Sequence, residues 1–123
     1  MKKVIASPNA PKAVGPYSQA ILAGNTLYVS GQLPVNPETG TVPETIEEQT
    51  AQSLKNTGAI LAEAGFTFDD VVKSTVLLAD MNDFAAFNAV YEKYFVSKPA
   101  RSCVAAAALP KGALVEVEVI AIH

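Results

Sequence analysis

Hydrophobic and polar positions between residues 45 and 65 repeat with the period of an α-helix. Residues at steps of three and four form one stripe, which consists of Ile46, Thr50, Leu54, Thr57, Leu61 and Ala64. Such spacing places side chains on one face of a helix. Thr45, with Glu48 three residues later, forms a capping box, and Gly65 is a favourable residue to end a helix. The pattern predicts a first helix between Thr45 and Gly65.

A second helical stripe begins after Asn82 or Asp83, either of which is a suitable cap, and Pro99 ends this region. Its face carries Phe84, Phe87, Asn88, Tyr91 and Phe95. The remaining apolar segments have the length and the β-branched content of strands. They are residues 17–23 and 26–33, joined by Gly24 and Asn25, and then 71–79, 101–108 and 114–122. The order β-β-α-β-α-β-β predicts an α+β fold, a mixed β-sheet with both helices packed on one face.

Composition favours a single globular domain spanning residues 1–123. Half of the 123 residues are apolar and 17% are charged, which differs from the composition of disordered chains. The excess of apolar residues fits either a tight core or a subunit interface, and in so short a chain it favours the interface. The net charge is −3 and no basic cluster exceeds Lys2–Lys3. Nucleic-acid binding therefore lacks its usual basic surface.

The chain shows no signal for export or for a membrane. No apolar segment of signal-peptide length follows the first lysines, and no run approaches 18 apolar residues. Cys103 is the only cysteine, so an internal disulfide and a cysteine metal cluster are excluded. We expect a cytoplasmic protein without a metal site.

The shortage of histidine argues against several further classes of catalytic site. The only histidine is the last residue, His123, which argues against a Ser-His or Cys-His nucleophile. The motifs GxxxxGK[ST] and GxGxxG are absent, so no phosphate or dinucleotide site is indicated. One arginine, several carboxylates, one thiol and hydroxyl groups remain.

Arg101 is the only arginine among nine basic residues. A permanent cation beside an apolar strand is costly unless an anion meets it. One hypothesis is an internal pair with Glu116 or Glu118. The other is an external carboxylate, which the planar guanidinium binds through two parallel hydrogen bonds.

Glu116 and Glu118 alternate with valines in the last predicted strand, so both share the face of Ile120. This face is either an edge exposed to solvent or a cleft. In a cleft, one glutamate would act as a general base or hold a water molecule, with its pKa tuned by a neighbouring cation.

Three further residues allow two interpretations each. Asn88 lies within an apolar stripe, where it either ties down backbone or presents its amide to a ligand. Tyr17 is either a core aromatic residue or a pocket wall with a hydrogen-bonding hydroxyl. Cys103 is either inert packing or a nucleophile whose pKa Arg101 lowers.

Several sequence blocks occur in a recognisable order. They are AVGPYSQA at 13–20, YVSGQLPVNPETG at 28–40, NDFAAFNAVYEKYF at 82–95, PARSCV at 99–104 and LVEVEVIA at 114–121. On these blocks the chain resembles the RidA (YjgF) family of enamine/imine deaminases along nearly its whole length. The resemblance implies a chorismate-mutase-like fold, assembled as a homotrimer with ligand clefts between subunits.

The resemblance also implies an activity that needs no cofactor. Reactive 2-iminobutanoate and 2-iminopropanoate, released by pyridoxal-phosphate-dependent dehydratases, are hydrolysed to 2-oxo acids and ammonia. By the matching motifs, Arg101 binds the substrate carboxylate, Glu116 orients the attacking water and Cys103 contributes its backbone carbonyl. The matching cleft-lining residues are Tyr17, Ser30, Gly31 and Asn88.

Two other functions stay open beside this one. Some relatives are described as ribonucleases for single-stranded RNA, and others as non-catalytic trimers that bind small metabolites. Two features differ from many relatives, the alanine run at 105–108 and the short segment between Phe95 and Pro99. Both lie outside the matched catalytic positions, where they can alter the shape of the cleft and the substrate range.

Overall fold

The computed structural model describes residues 2–123, which contain six β-strands and two α-helices. They are β1 (Lys2–Ile5), β2 (Ala20–Ala23), β3 (Thr26–Gln32), α1 (Ile46–Glu63), β4 (Val71–Leu78), α2 (Phe84–Tyr94), β5 (Ala100–Ala105) and β6 (Val115–Ile122). The predicted α+β class is confirmed. The order of the predicted elements is also correct, except that β1 was not predicted. Only one of its four residues is buried, so its sequence carries little hydrophobic signal.

All six strands in the described range form one sheet, in the order β1-β2-β3-β6-β4-β5. Strands β4 and β5 pair in parallel, and the other neighbours pair antiparallel. The predicted mixed sheet is therefore confirmed. The parallel pair requires a crossover, which α2 supplies. This arrangement leaves β5 at one edge of the sheet.

The two faces of the sheet differ in what covers them. On β6 the valines and Ala121 are almost completely buried beneath the helices, whereas Glu116, Glu118 and Ile122 lie on the opposite face. We call that opposite face the open face, because neither helix covers it. Tyr28 and Val104 remain about half exposed. The predicted alternation along the last strand is thus confirmed.

Helix α1 begins and ends where its sequence predicts. The backbone N–H of Glu48 donates to Thr45 Oγ1 at 3.2 Å, and Gly65 takes a φ of +80° just after the helix. Buried polar side chains then tie α1 to the loop after β3. Asn56 Nδ2 donates to the carbonyls of Leu33 and Val35 at 3.0 and 2.9 Å. The position of this loop is therefore set by the helix.

Asp83, one of the two predicted caps, directly precedes α2, but its side chain makes no capping hydrogen bond. Asp80 Oδ1 accepts the N–H of Asn82 at 2.8 Å and starts a single 3₁₀ turn, after which α2 begins at Phe84. Asp80 has the extended backbone that a capping residue needs, so the chain turns two residues earlier than expected. None of the helices in residues 2–123 is both long and apolar enough to cross a bilayer.

The strand predicted over residues 17–23 begins only at Ala20. Gln19 turns its amide into the preceding loop, where Nε2 donates to the carbonyl of Pro11 at 2.8 Å and Oε1 accepts from the N–H of Ser7. The side chain of Ser30 donates to the carbonyl of Ser18 at 2.6 Å. Together with the backbone bond from the N–H of Ser30 to the carbonyl of Gln19 at 2.9 Å, these bonds hold residues 17–19 beside β3. Strand β5 also ends three residues earlier than predicted, at Ala105.

Candidate functional site

Arg101 lies on the edge strand β5 and turns its side chain toward α2. Its Nη1 donates to Asn88 Oδ1 at 2.7 Å. The guanidinium carbon lies over three rings, 4.8 Å from the centroid of Tyr91, 5.5 Å from Phe84 and 6.0 Å from Phe87. Aromatic faces attract a cation without neutralising its charge. We call Arg101, Asn88, Tyr91 and Phe84 the arginine half-site.

The arginine half-site contains no internal counter-ion. Among residues 2–123, no carboxylate lies within ion-pair distance of Arg101, and Asn88 supplies the one hydrogen-bond acceptor that the guanidinium has. The hypothesis of an internal pair with Glu116 or Glu118 is therefore wrong within a single chain. The charge of Arg101 and several of its N–H donors remain available to an external anion.

Residues of β4 and α2 that lie next to Arg101 hold the arginine half-site in place. Strand register puts Arg101 beside Ser74 of β4, on the face that carries the helices. The buried hydroxyls of Ser74 and Tyr91 are hydrogen-bonded at 2.6 Å, and burial raises the pKa of Tyr91. The ring beneath Arg101 is thus fixed by the sheet itself. The sequence predicted Tyr91 and Phe84 only as part of an apolar stripe. Arg101, whose guanidinium lies over both rings, is the residue that could have indicated their place in the site.

An open groove of about 610 Å³ runs past the arginine half-site along α2 and the start of β5. Its walls include Tyr91, Phe95 and Pro99, while Glu92 and Lys98 bring one charge of each sign. Arg101 is partly exposed to this groove. A small carboxylate can therefore reach the guanidinium from outside.

Cys103 lies two residues beyond Arg101 on the same strand. Burial raises the pKa of its thiol, and the charge of Arg101 offsets this only in part. The lowered pKa that a nucleophilic thiol requires is therefore absent. The N–H of Ala106 donates to the carbonyl of Leu78 at 2.8 Å. Because backbone groups alternate along a strand, the N–H and C=O of Cys103 and Arg101 point away from β4, toward the edge of the sheet.

Glu116 lies on the open face of the sheet. It borders a depression of about 270 Å³ together with Gly31, Thr75, Leu77 and Glu118. Burial raises the pKa of Glu116, and the nearby Glu118 raises it further. The neighbouring cation expected from the sequence is not found within the described chain. The carboxyl group therefore takes up a proton more readily than an exposed glutamate does.

Gly31 allows Glu116 to lie against strand β3. A Cβ atom on Gly31 would lie 2.9 Å from Glu116 Cδ and closer still to one carboxylate oxygen. Any side chain there would displace the carboxylate. Gly31 occurs where the β3–β6 pairing becomes irregular, between Val29 and Gln32. We call Glu116, Gly31, Ser30 and Tyr17 the glutamate half-site.

Ser30 and Tyr17 connect the glutamate half-site to the N-terminal loop. The side chain of Ser30 is used in its bond to the carbonyl of Ser18. Tyr17 follows a tight turn in which its N–H donates to the carbonyl of Gly15 at 2.8 Å, and its ring is 50% exposed. Tyr17 is therefore not a core aromatic residue, and its hydroxyl is accessible to a ligand or to another chain.

The two half-sites lie on opposite faces of the sheet. Arg101 is in register with Ser74 on the helix-covered face, whereas Glu116 is in register with Leu77 on the open face. The sheet itself separates the two groups within one chain. Seven site residues that sequence motifs brought together thus form two groups, with Asn88 and Cys103 beside the arginine. Among residues 2–123, no group of three or more His, Cys, Asp or Glu side chains is placed to hold a metal ion.

Comparison with known proteins identifies relatives over nearly the entire chain. Residues 7–123 match the sequence model of the family described as Endoribonuclease L-PSP. The 2-iminobutanoate/2-iminopropanoate deaminase of Escherichia coli K12 is 50% identical, over all of this chain and 99% of that protein. The protein of the same name from Bos taurus is 52% identical, over all of this chain and 91% of that protein.

Solved structures show the same fold. A putative endoribonuclease L-PSP from Entamoeba histolytica superposes with a TM-score of 0.97 at 54% identity, with both chains covered completely. E. coli TdcF, solved with bound serine, superposes with a TM-score of 0.95 at 42% identity over 98% of each chain.

Proposed function

The chain belongs to the Endoribonuclease L-PSP family, which includes RidA and YjgF, and we propose that it is an enamine/imine deaminase. The proposed reaction is the hydrolysis of 2-iminobutanoate and 2-iminopropanoate to 2-oxo acids and ammonia. Relatives that are about 50% identical over their full length carry the name of this activity. The observation that carries the proposal is an arginine on aromatic rings with no internal counter-ion, open to a groove.

We further propose that the working cleft forms between copies of the chain in a homotrimer. Arg101 and Glu116 occupy opposite faces of the sheet in one protomer, so a cleft that uses both requires Glu116 from a second copy. The open face exposes Tyr28, Val104 and Ile122, and an uncovered apolar sheet face favours association. Closed rotational symmetry would repeat the same cleft three times.

Arg101 has the first role in the proposed mechanism. It binds the carboxylate of the imino acid through its free N–H donors, and Asn88 and the ring of Tyr91 keep the guanidinium in one orientation. The imine carbon is bonded directly to the carboxylate carbon, so fixing the carboxylate also fixes the electrophile. Such positioning lowers a barrier by several kcal/mol in favourable cases.

Glu116 has the second role, at the attacking water. The water oxygen bonds to the protonated imine carbon, the C=N π electrons move to nitrogen, and Glu116 accepts the proton that the water releases. The glutamic acid then returns this proton to the nitrogen. As the C–N bond breaks, its electron pair leaves with ammonia, the hydroxyl oxygen forms the C=O bond of the oxo acid, and Glu116 accepts the hydroxyl proton and passes it to the departing ammonia. A carboxyl group with a raised pKa suits both steps. The carbonyl of Cys103, which points to the sheet edge beside Arg101, is assigned a hydrogen bond from the water or from the imine nitrogen in this proposal.

Two broader expectations remain proposals. Residues 1–123 act as a single domain, which is supported by one sheet through the described strands and by a family match over residues 7–123. The cytoplasmic location rests on the activity, because the imines arise where pyridoxal-phosphate-dependent dehydratases work.

The test is a coupled assay in which a threonine dehydratase generates the imine and semicarbazide traps what remains. Purified protein should lower the yield of semicarbazone. Arg101→Ala should reduce kcat/KM by about a hundredfold or more, because an unplaced substrate loses both its charge contact and its orientation. Arg101→Lys should recover little, since an ammonium lacks the planar fork.

Lys55→Gln on the exposed side of α1 is the matched control, because it removes a cation far from either half-site. Circular dichroism and gel filtration should show an unchanged fold and unchanged size for every variant. Full activity in Arg101→Ala would overturn the proposed site. An inactive wild type that still binds 2-oxo acids would indicate a metabolite-binding trimer. RNA cleavage that survives repeated purification and disappears in Arg101→Ala would indicate a ribonuclease.

A further inference from the structure

A pocket of about 220 Å³ lies beside the glutamate half-site, among the loops next to β3. Residues 11–19, residues 31–40 and Lys111 contribute to it, and we call it the loop pocket. Gly31 and Tyr17 line its inner end, so it adjoins the glutamate half-site. The mechanism above assigns it no role.

The walls of the loop pocket are mainly apolar, and two of its amide side chains hold the surrounding loops. Apolar side chains line it on several sides, namely Pro11, Val14, Leu33, Val35 and Pro37. Gln32 Nε2 donates to the carbonyl of Ser30, and Asn36 Oδ1 accepts the N–H groups of Glu38 and Thr39. These bonds fix the shape of the pocket.

Two lysines border the pocket and are its cations. Lys12 comes from the N-terminal loop and Lys111 from the turn before β6, so two distant parts of the chain bring cations to one cavity. In the range 2–123, no carboxylate lies within ion-pair distance of either lysine. The pocket is therefore locally positive in a chain whose net charge is −3.

The backbone of Lys111 is strained where it reaches the pocket. Its φ of +59° lies in the left-handed region, and Gly112 follows with a φ of +64°. A non-glycine residue costs about 1 kcal/mol or more there. A glycine at position 111 would avoid this cost. A lysine in this backbone conformation therefore indicates a role for its side chain.

We propose that the loop pocket binds a small carboxylic acid with an apolar body, with the carboxylate between Lys12 and Lys111. An apolar cavity with a few convergent polar groups is the usual form of a small-molecule site. The volume lies below the roughly 300 Å³ at which pockets for drug-sized ligands begin, so the ligand is of fragment size. Its body would pack on Val14 and Leu33 and touch Tyr17. The proposal stands independently of the deaminase function.

The direct test is a titration of the isotope-labelled protein with phenylacetate, followed by amide resonances. Phenylacetamide is the matched probe, because it has the same apolar body without the charge. Phenylacetate should shift the resonances of Val14, Leu33 and Lys111 saturably at millimolar concentration. Phenylacetamide should bind about fivefold more weakly or worse, the value of one modest charge contact.

Four variants assign the binding to this pocket. Lys12→Gln and Lys111→Gly should each weaken phenylacetate binding by about fivefold, and glycine retains the left-handed backbone. Lys55→Gln should bind as the wild type does. Arg101→Ala should also leave these shifts in place, because Arg101 does not line the loop pocket. Loss of the shifts in Arg101→Ala alone, equal binding of the amide, or no saturable binding would each overturn the proposal.

Discussion

The two half-sites lie on opposite faces of the same sheet, and each contains a charged or ionisable group without an oppositely charged partner. In the arginine half-site a permanent cation is held by neutral groups alone, the amide of Asn88 and the rings of Tyr91 and Phe84. In the glutamate half-site a carboxyl group is half buried against Gly31, with a second carboxylate nearby and no cation within the described chain. Within the described chain, the arginine half-site lacks an anion and the glutamate half-site lacks a cation.

The difference shows why the sheet separates Arg101 from Glu116. If both faced the same side of one chain, an internal ion pair would neutralise the arginine before substrate arrived. On opposite faces each keeps the property that the proposed mechanism needs, a free cation and a carboxyl group with a raised pKa. Contacts with aromatic rings stabilise the guanidinium of Arg101 and leave its charge available to a ligand.

Among substitutions of residues that support the two charged groups, the largest effect is expected on the glutamate side, from Gly31→Ala. The new methyl group would occupy the space of the Glu116 carboxylate, and a displacement of about 1 Å can lower a rate by a hundredfold. The carboxylate is the flexible end of a side chain, so the fold should accommodate the change. We expect kcat/KM to fall by about a hundredfold while the melting temperature stays near that of the wild type.

Steady-state kinetics and calorimetry on the same sample check this prediction. Equal losses of activity and stability would mean that Gly31 serves the sheet and not the carboxylate. Full activity would mean that Glu116 acts from another position.

A smaller effect is expected on the arginine side, from Asn88→Asp. The introduced carboxylate would pair with Arg101 inside the chain and compete with substrate. KM should rise by about tenfold, the value of a hydrogen bond to a charged group, with a smaller change in kcat. Asn88→Ala removes the same acceptor without adding charge, and its KM should rise less. The competition account fails if the aspartate variant binds substrate as well as the alanine variant does.

The smallest effect on catalysis is expected beneath Arg101, from Tyr91→Phe. The ring stays in place under the guanidinium, so kcat/KM should change little. The buried hydroxyl of Ser74 loses its partner at 2.6 Å, so stability should fall by about 1–2 kcal/mol. The double variant Ser74→Ala/Tyr91→Phe should be more stable than Tyr91→Phe, because no unsatisfied group remains. A large loss of activity in Tyr91→Phe would instead assign the hydroxyl to catalysis.

Much of the fold could be predicted because the patterns are local. The stripe of α1, its cap at Thr45 and the alternation along β6 each depend on neighbours within a few residues. The 3₁₀ turn before α2 and the late start of β2 were missed for a different reason. They depend on side-chain hydrogen bonds of Asp80 and Gln19, and periodicity does not report such bonds.

The candidate site was predicted as a set of residues but not as an arrangement. Motifs identified Arg101 and Glu116, yet which sheet face each occupies follows from the strand order, with β6 between β3 and β4. The sequence did not show that Tyr91 and Phe84 contact Arg101, because a stripe of aromatic residues is typical of a core. Only the position of β5 beside α2 shows that this stripe ends under an arginine.

The central claim is that one active cleft takes Arg101 from one copy and Glu116 from another. The most direct measurement mixes two inactive variants, Arg101→Ala and Glu116→Gln, in equal amounts by joint unfolding and refolding or by co-expression. Each cleft between an intact arginine and an intact glutamate should then be active. In randomly mixed trimers that is about a quarter of all clefts.

The account predicts recovery of about a quarter of the wild-type kcat/KM per cleft in the mixed sample, with none in either variant alone. Mixing the folded variants without subunit exchange is the control and should recover nothing. An inactive mixed sample, with mixed trimers verified by mass spectrometry, would contradict the account and place both groups of each cleft in one chain.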